Sequence, residues 1–491
     1  MQPQPVIVWF RNDLRLEGNL ALSAALSSQK PVIPVFIWND KSSDCTFNGP
    51  HSERWLRVSL RHLSDSLSHM GSRLIIRKGY AHKELRGLAS ETHADHVYFN
   101  ERYEPSEIQT QSLVEEALRP QNIVLKAFNS NYLFDPRTIY KANNHPYKKF
   151  GAFWKHCLTL QEPNPLPLPL RSEQFSSPML WPNTVQPTEM NEGSSFREVS
   201  CIKPMWTPGE ASSNRKLKEF LLTSYEYYSE NRERSDITGT SMLSPHLSFG
   251  EIGPAQILQE LDQQRLKATA SATLHEDKFI TELGWREFAN YIITHFPASN
   301  SEPSNTVLDH FIWDDNKNHL TAWQSGETGY PIIDAAMRQL KSTGWMNNRL
   351  RMVVASFLIK NLLIPWQKGA EWFSYLLVDA NEASNNLGWK WIAGCGTDSS
   401  PYFRIFNPLT QSQKTDPDGS FIHQWIPELS QLSEPWIHHP WLAPPDILQR
   451  AQISLGVDYP RPIVDYKTSR IRSLAAYKQA KLLYDLGRKH N

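Results

Sequence analysis

The sequence predicts an α/β domain with a parallel, Rossmann-like sheet, followed by a long linker and an all-α domain. The first third of the chain alternates short apolar runs with helical patterns, the middle is rich in proline, and the rest is mostly helical. At 491 residues the chain is also too long for a single hydrophobic core. We expect the α/β domain over 1–130, the linker over 131–210 and the helical domain over 211–486.

The predicted strands are short runs rich in apolar and β-branched residues. They are Val6–Phe10, Pro31–Trp38, Arg73–Arg77, His96–Asn100 and Ile123–Phe128. Ser52–Met70, between the second and third runs, repeats apolar residues near the helical period. Alternating strands and helices indicate a parallel sheet with helices on both faces. No Gly-x-Gly-x-x-Gly motif follows the first strand, so nothing in the sequence places a dinucleotide on this sheet.

Proline and glycine residues indicate where the linker runs and where the helices begin and end. Glu162–Arg171 and Ser176–Ser195 are rich in proline, as an extended connection would be. Pro331 suits the first position of a helix, and Gly344 suits its end. We expect a second helix from Met346 until Pro365 terminates it.

Composition excludes several classes of protein. Lysine and arginine balance aspartate and glutamate, 51 against 51, so a general polybasic nucleic-acid binder is not indicated. No apolar run is long enough to cross a membrane, and the N-terminus does not resemble a secretory signal. The cysteines, which are far apart, lack metal-site spacing. They are Cys45, Cys157, Cys201 and Cys395. We expect a cytoplasmic protein without disulfides or a metal.

The second helix of the predicted pair carries an unusual polar face. At about 100° per residue, Met346, Leu350 and Val354 fall on one side, and Asn348, Arg351 and Met352 on the other. That second face is either an ordinary solvated face or a surface turned toward a ligand. Further segments combine polar and aromatic residues, although each alone has a structural explanation. They are Thr240–Ser244, Glu282–Phe288, Asn385–Trp391 and Thr397–Pro408.

Long motifs in a fixed order resemble the photolyase/cryptochrome family, most closely the photolyases that act on cyclobutane pyrimidine dimers. They are Val8–Leu22 (VWFRNDLRLEGNLAL), Trp323–Leu358 (WQSGETGYPIIDAAMRQLKSTGWMNNRLRMVVASFL), Asp379–Trp391 (DANEASNNLGWKW) and Pro401–Pro408 (PYFRIFNP). The resemblance covers most of the chain and is weakest across about 160–225. It implies a light-driven DNA repair enzyme that holds FAD in its helical domain.

The resemblance implies a set of FAD-binding positions. Arg351 and Asp379 match the pair that flanks the flavin, and Asn385 matches the residue that faces flavin N5. Two positions depart from the pattern of the family or of some of its members: Asn381 replaces the usual second Asp of D-x-D, and Met242 replaces a cation seen in some relatives. We hypothesise that Asn381 lowers repulsion against an anionic flavin. The full set is Tyr228, Thr240, Ser241, Met242, Leu243, Ser244, Phe279, Arg286, Asn348, Arg351, Asp379, Asn381 and Asn385.

The resemblance also implies residues for substrate and electron transfer. Glu282 would stabilise the reduced lesion, and Trp389, Trp366 and Trp313 match a chain that carries electrons to the flavin. Lesion and DNA contacts fall on Arg232, Glu282, Trp285, Asn348, Arg349, Met352, Trp391, Arg404 and Gln411. Members that act on (6-4) lesions carry a His-His pair where this chain has Asn347 and Asn348, which favours the cyclobutane dimer.

Several alternatives stay open at this point. A cryptochrome-type photoreceptor, a (6-4) photolyase and an unrelated FAD oxidoreductase are the rival functions. A second, antenna chromophore would be a folate, a deazaflavin or another flavin, or there is none. Ser106 and Glu107 half match the folate-binding pattern, and Ala298–Ser301 lacks the lysine that accompanies it. We expect a monomer whose partner is UV-damaged DNA.

Overall fold

A computed structural model describes residues 3–39, 49–160, 175–185, 206–268, 277–297 and 307–489. Its contacts divide the chain into two compact units. Unit 1 comprises Met1–Glu226, Ser241–Pro297 and Val378–Ala383, and unit 2 comprises Tyr227–Thr240, Ala298–Leu377 and Ser384–Asn491. The boundaries expected at 130 and 210 stay predictions. Part of the predicted linker, including Glu162–Arg171, lies outside the described residues, as do Cys45 and Cys201.

Unit 1 contains the predicted parallel sheet. Its strands are β1 (Val6–Phe10), β2 (Val32–Trp38), β3 (Ile75–Lys78), β4 (His96–Asn100) and β5 (Val124–Phe128), in the order β3-β2-β1-β4-β5. All neighbouring pairs are parallel. Every residue of β1 and β2 is buried, as expected for central strands covered on both faces. The sequence predicted β3 at Arg73–Arg77, whereas the strand begins two residues later, at Ile75. The sequence pattern does not show where hydrogen bonding to the neighbouring strand begins.

Helices make up most of the remaining described chain. In order they are α1 (Leu20–Ser27), α2 (Pro50–His69), α3 (Ala81–Thr92), α4 (Pro105–Leu118), α5 (Phe150–Cys157), α6 (Glu210–Thr223), α7 (Tyr228–Asn231), α8 (Ser244–Ser248), α9 (Pro254–Ala268), α10 (Lys278–His295), α11 (Lys317–Ser325), α12 (Pro331–Thr343), α13 (Asn348–Ser356), α14 (Trp366–Leu376), α15 (Glu382–Ala393), α16 (Pro408–Thr415), α17 (Ser420–Trp425), α18 (Pro445–Arg450) and α19 (Tyr466–Lys489). No helix in these ranges has the length and apolar character needed to span a membrane.

The predicted helix pair of unit 2 exists, with corrected bounds. Pro331 begins α12, and Gly344 caps its end with a φ of +71°. The second helix begins at Asn348 instead of Met346, because the side chain of Asn347 caps it. It also ends before Pro365: after Ser356 the backbone widens into a π-helical turn, Phe357–Asn361. Sequence periodicity does not distinguish these last turns from α-helix, since the same apolar residues are buried in both.

A buried polar network in unit 1 ties the ends of β1 and β4 to distant loops. The guanidinium of Arg15, which is fully buried, donates to the carbonyl oxygens of Ser130 at 2.7 Å and Gly250 at 2.8 Å. Asn100 donates to Asp13 at 2.6 Å and to Asn19 at 2.8 Å. Because buried polar groups are costly without partners, this network fixes the loop after β5.

A substitution at Gly250 tests how closely the backbone is packed around the Arg15 network. Its φ is +65°, and an added Cβ would lie 2.0 Å from the carbonyl oxygen of Asn12. We expect Gly250→Ala to destabilise the protein by at least about 2 kcal/mol, because both the φ and the contact oppose a side chain. Gly87→Ala is the matched control: it lies within α3 with open space around its Cβ position, so helix propensity predicts a slightly higher melting temperature. Equal melting temperatures for the two variants would contradict this account.

Candidate functional site

Asn347 fixes the start of α13 in unit 2. Its side-chain oxygen accepts from the backbone N–H of Arg349 at 2.8 Å. Its amide donates to the carbonyl oxygens of Arg232 at 3.1 Å and Arg234 at 3.3 Å. Asn347 is 5% exposed, so these bonds are shielded from water. The segment 232–234 and the first turn of α13 are therefore held together, which the sequence did not indicate beyond a helix-capping residue.

The two faces of α13 differ as the pattern predicted. Leu350, Val353 and Val354 are buried, whereas Asn348 is exposed and Arg351 and Met352 are partly exposed. The Nε of Arg351 donates to the carbonyl oxygen of Met346 at 2.8 Å, which orients the guanidinium beside the helix start. The helix thus presents amide, guanidinium and thioether groups on a surface that the core of unit 2 does not use.

Asn385 on α15 is anchored in the same unit. Its side-chain amide donates to the carbonyl oxygen of Ala370 at 2.9 Å, which fixes the carboxamide and leaves its oxygen as an acceptor. One helical turn later, Gly388 has no heavy atom within 4 Å of the position that a Cβ would take. The surface of α15 at Gly388 is therefore open to a close approach.

The predicted electron-transfer tryptophans all lie in unit 2 and differ in exposure. Trp389 is 3% exposed, whereas Trp366 and Trp313 are partly exposed. A Cβ at Gly369 would lie 2.1 Å from the indole of Trp389, so this turn of α14 packs directly on the ring. Trp366 begins α14 three residues before Gly369, which places it within one helical turn of that contact. Trp313 packs on Phe311, with ring centroids 4.5 Å apart.

The predicted DNA-contacting arginines of unit 2 have intramolecular partners. Arg349 forms an ion pair with Glu233, and Lys414 reaches the same carboxylate at 3.4 Å. These two cations lower the pKa of Glu233 against the opposing effect of partial burial. Arg232 lies 5.6 Å from the centre of the Tyr228 ring. Gln411 lies on α16 and is partly exposed.

Arg404 is positioned by a buried lysine that the sequence did not single out. Lys360 lies in the π-helical turn, is 1% exposed, and donates to the carbonyl oxygen of Arg404 at 2.9 Å. The guanidinium of Arg404 lies 5.9 Å from the centre of the Trp391 ring. Burial, assisted by Arg404, lowers the pKa of Lys360 to about 7. The only advance signal is a charged residue within an otherwise apolar stretch.

Unit 1 supplies the remaining predicted residues, beginning with those on α10. Glu282, Trp285 and Arg286 are each partly exposed. Arg286 donates to the carbonyl oxygen of Asn131 at 2.8 Å and lies over the ring of Tyr132, 4.5 Å from its centre. This guanidinium is therefore engaged by the loop after β5.

The adjacent Glu287 is buried beneath the same loop. Its carboxylate accepts from the backbone N–H of Leu133 at 3.0 Å, and burial raises its pKa to about 7. Arg286 and Glu287 together fasten the middle of α10 to residues 131–134, so the network around Arg15 also sets the position of α10.

The predicted 240–244 segment is divided between the units, with Thr240 in unit 2 and Ser241 onward in unit 1. Met242 adopts a φ of +51°, and Ser244 begins α8. Leu243 is buried, as is Phe279, which packs on Phe220 with ring centroids 4.9 Å apart.

The D-x-N segment of unit 1 faces a buried carboxylate. Asp379 is 8% exposed, and the amide of Asn381 lies 3.4 Å from Glu104, which is 2% exposed. An Asp at 381 would place two carboxylates at that distance, whereas the amide can donate. The hypothesis that Asn381 tunes a flavin stays a prediction.

The half-matched antenna position is also engaged within unit 1. Glu107 forms ion pairs with Arg11 at 3.2 Å and with Arg102 at 2.8 Å. Ala298–Ser301, where the accompanying lysine was sought, lies outside the described residues. Over the described part of the chain, no cluster of His, Cys, Asp and Glu could hold a metal ion.

Comparison with known proteins identifies the class. The sequence matches the family described as DNA photolyase over residues 6–170 and the FAD binding domain of DNA photolyase over residues 279–479. A deoxyribodipyrimidine photo-lyase of Agrobacterium fabrum is 41% identical across 98% of this chain and 99% of its own length. Cryptochrome-2 of Arabidopsis thaliana is 35% identical across 94% of this chain and 77% of its own length. The crystal structure of a class III photolyase from Agrobacterium tumefaciens superposes with a TM-score of 0.91 at 40% identity, covering 98% of both chains.

The chain therefore belongs to the DNA photolyase family. It is an FAD-dependent lyase of light-driven DNA repair, as its full-length similarity to deoxyribodipyrimidine photo-lyases shows. The parallel sheet of unit 1 and the helices that follow it confirm the predicted fold class.

Burial of Lys360 should make the stability of the protein depend on pH. Lys360 has a folded pKa of about 7 against an ordinary value of 10.5, so the unfolded chain binds more protons between these values. The free energy of unfolding should therefore rise with pH across this window, by on the order of 1 kcal/mol per pH unit at most. We expect Lys360→Met to lose this rise, so that its stability relative to wild type is highest near pH 7. Denaturant unfolding at pH 7 to 9.5 measures it, and parallel pH curves would refute the assignment.

Proposed function

We propose that this protein splits cyclobutane pyrimidine dimers in UV-damaged DNA, with Glu282, Asn385 and the tryptophan chain as its catalytic residues. The observation that carries the choice of lesion is the environment of Asn347. In (6-4) photolyases the His-His pair would occupy positions 347 and 348, but here Asn347 is a buried helix cap with both ends of its amide engaged. Only Asn348 of the pair is exposed on α13.

The residues of the helical region fit a planar cofactor with hydrogen-bonding edges. Asn385 offers an anchored acceptor beside open space at Gly388, and Arg351 offers an oriented guanidinium. These residues would hold the flavin, with Asp379 and the other predicted positions around it. A bound, reduced FAD would supply the light-excited electron with which both inter-base C–C bonds of the dimer break, and the electron would return to it afterwards. An anchored amide at 385 neither carries charge nor acts as an acid, which suits a reduced, anionic flavin.

The substrate side requires a pocket for extruded bases. Photolyases act on bases taken out of the duplex, at a cost that is lowest for damaged bases. Trp285 and Trp391 would pack on the dimer through their flat faces, and Met352 would fill its irregular side. Glu282 would hydrogen-bond the edge of one pyrimidine and stabilise the negative charge that forms there during splitting.

DNA binding by a chain without net charge depends on a few cations. Arg232, Arg349 and Arg404, with Gln411, would contact the backbone of the damaged strand. Arg349 and Lys414 share the carboxylate of Glu233. A phosphate would take the place of this carboxylate, since both offer oxygen acceptors to the same N–H groups.

The graded exposure of the tryptophans supports their role in reduction of the cofactor. A buried Trp389 followed by partly exposed Trp366 and Trp313 is the order expected of a path from the interior of unit 2 to solvent. We further propose a cytoplasmic monomer with domain boundaries near 130 and 210. The protein could also bind a second, antenna chromophore of folate, deazaflavin or flavin type, and we assign no residues to that site.

A repair assay tests the function directly. Purified protein with reduced FAD is mixed with oligonucleotides that carry either a cyclobutane dimer or a (6-4) lesion, in the dark and under blue light. We expect light-dependent loss of the cyclobutane dimer alone, measured by chromatography of the digested product. Repair of the (6-4) substrate would reverse the choice of lesion. No repair of either lesion in light would favour the cryptochrome alternative.

Removing the negative charge of Glu233 should increase the affinity for DNA. We expect Glu233→Gln to bind undamaged duplex DNA about three- to tenfold more tightly at low salt, because Arg349 and Lys414 lose an internal competitor for phosphate. Asp236→Asn is the matched control, since Asp236 pairs with Arg234, which is not a predicted contact. Fluorescence anisotropy at several salt concentrations measures both. Weaker binding by Glu233→Gln would mean that the carboxylate orients Arg349 instead of competing for it.

A further inference from the structure

Trp285 of α10 stacks face to face on Phe150, which the sequence did not indicate as a site residue. The rings of Phe150 and Trp285 have centroids 3.8 Å apart and planes inclined by 11°. At this separation the rings overlap in van der Waals contact. One face of the indole is therefore covered from within unit 1, by the first residue of α5.

The position of Phe150 is set by the way α5 docks on α10. Gly284 precedes Trp285, and a Cβ on it would lie 2.7 Å from the indole of Trp154, so only glycine allows this approach. Trp154 is 6% exposed and Phe153 is 1% exposed. Phe153 packs on Tyr291 of α10 with ring centroids 4.7 Å apart. Because these contacts lie along one face of α5, the helix cannot slide on α10 without breaking them.

A second aromatic contact limits rotation of the same indole. Phe288 meets Trp285 edge-on, with centroids 5.9 Å apart at 77°, and meets Phe150 in the same way, 5.8 Å apart at 71°. A turn of the indole about its side-chain bonds would lose the face contact with Phe150 and collide with this edge. Packing among the three rings therefore fixes the plane of the Trp285 indole by contacts within the protein.

From this geometry we infer that Phe150 is a positioning residue for lesion recognition. It holds the indole of Trp285 in the plane on which an extruded pyrimidine of the dimer stacks. The inference rests on the proposed role of Trp285 as a lesion contact. A base that stacks on a fixed indole does not have to order it, so the lesion binds more tightly. An undamaged duplex keeps its bases inside the helix and gains nothing from this platform.

The test uses full-length, FAD-loaded protein and measures the dissociation constants for dimer-containing and undamaged oligonucleotides in the dark. We expect Phe150→Leu to weaken binding of the dimer about fivefold, the equivalent of one aromatic pair, and to leave undamaged DNA unchanged. The KM for repair should rise, whereas repair per absorbed photon at saturation should not change. Phe150→Tyr keeps the flat ring and should restore the wild-type ratio.

Two further variants separate the outcomes. Phe153→Leu removes a buried ring of the same helix that packs on Phe288 and Tyr291 and not on Trp285 itself. It should lower the melting temperature and leave the binding ratio unchanged, since Phe150 still covers the face of Trp285. Trp285→Ala should abolish much of the preference for the dimer. If Trp285→Ala has this effect but Phe150→Leu does not, the inference fails while the proposed function stands. If Trp285→Ala has no effect, the proposed lesion contact and the inference both fail. Equal losses in Phe150→Leu and Phe153→Leu would overturn the inference by showing that loosening α5 is sufficient.

Discussion

The amide of Asn347 is the constraint on which the candidate site of unit 2 depends. By accepting from the first turn of α13 and donating to the 232–234 segment, it fixes where one helix begins relative to a loop more than a hundred residues away. The helix phase follows from that start, and with it the face on which Asn348, Arg351 and Met352 lie. A residue that caps a helix thereby also decides which side chains a ligand would meet.

In unit 1, a buried polar network and aromatic packing together fix the position of α10. Its sheet ends in a buried polar network around Arg15, which holds the loop after β5, and this loop engages Arg286 and Glu287 of α10. On another side, α5 packs its aromatic residues on α10 and covers one face of Trp285. The N-terminal sheet therefore sets, through the loop after β5, where α10 and its Trp285 lie.

Electrostatics in this neutral chain operate through local pairing. Arg349 and Lys414 are held by Glu233, Arg286 by a backbone carbonyl, and Lys360 is buried where its pKa falls to about 7. Each of these cations has a partner within its own unit. Under the proposed function, contact of Arg349 and Lys414 with DNA would therefore be an exchange of partners. Such an exchange would lower the affinity for undamaged DNA, because each new phosphate contact would replace an existing interaction.

The sequence alone determined the parallel sheet, the helix pair around Gly344, the two faces of α13 and the family, since hydrophobic period, turn residues and long motifs are local signals. It did not determine the start of α13 at Asn348, the partners of Arg349 and Arg286, the burial of Lys360, or the stack of Phe150 on Trp285. Those features join residues far apart in the chain. Only packing in three dimensions decides them, because a side chain's partner depends on which surfaces meet and not on its neighbours in sequence.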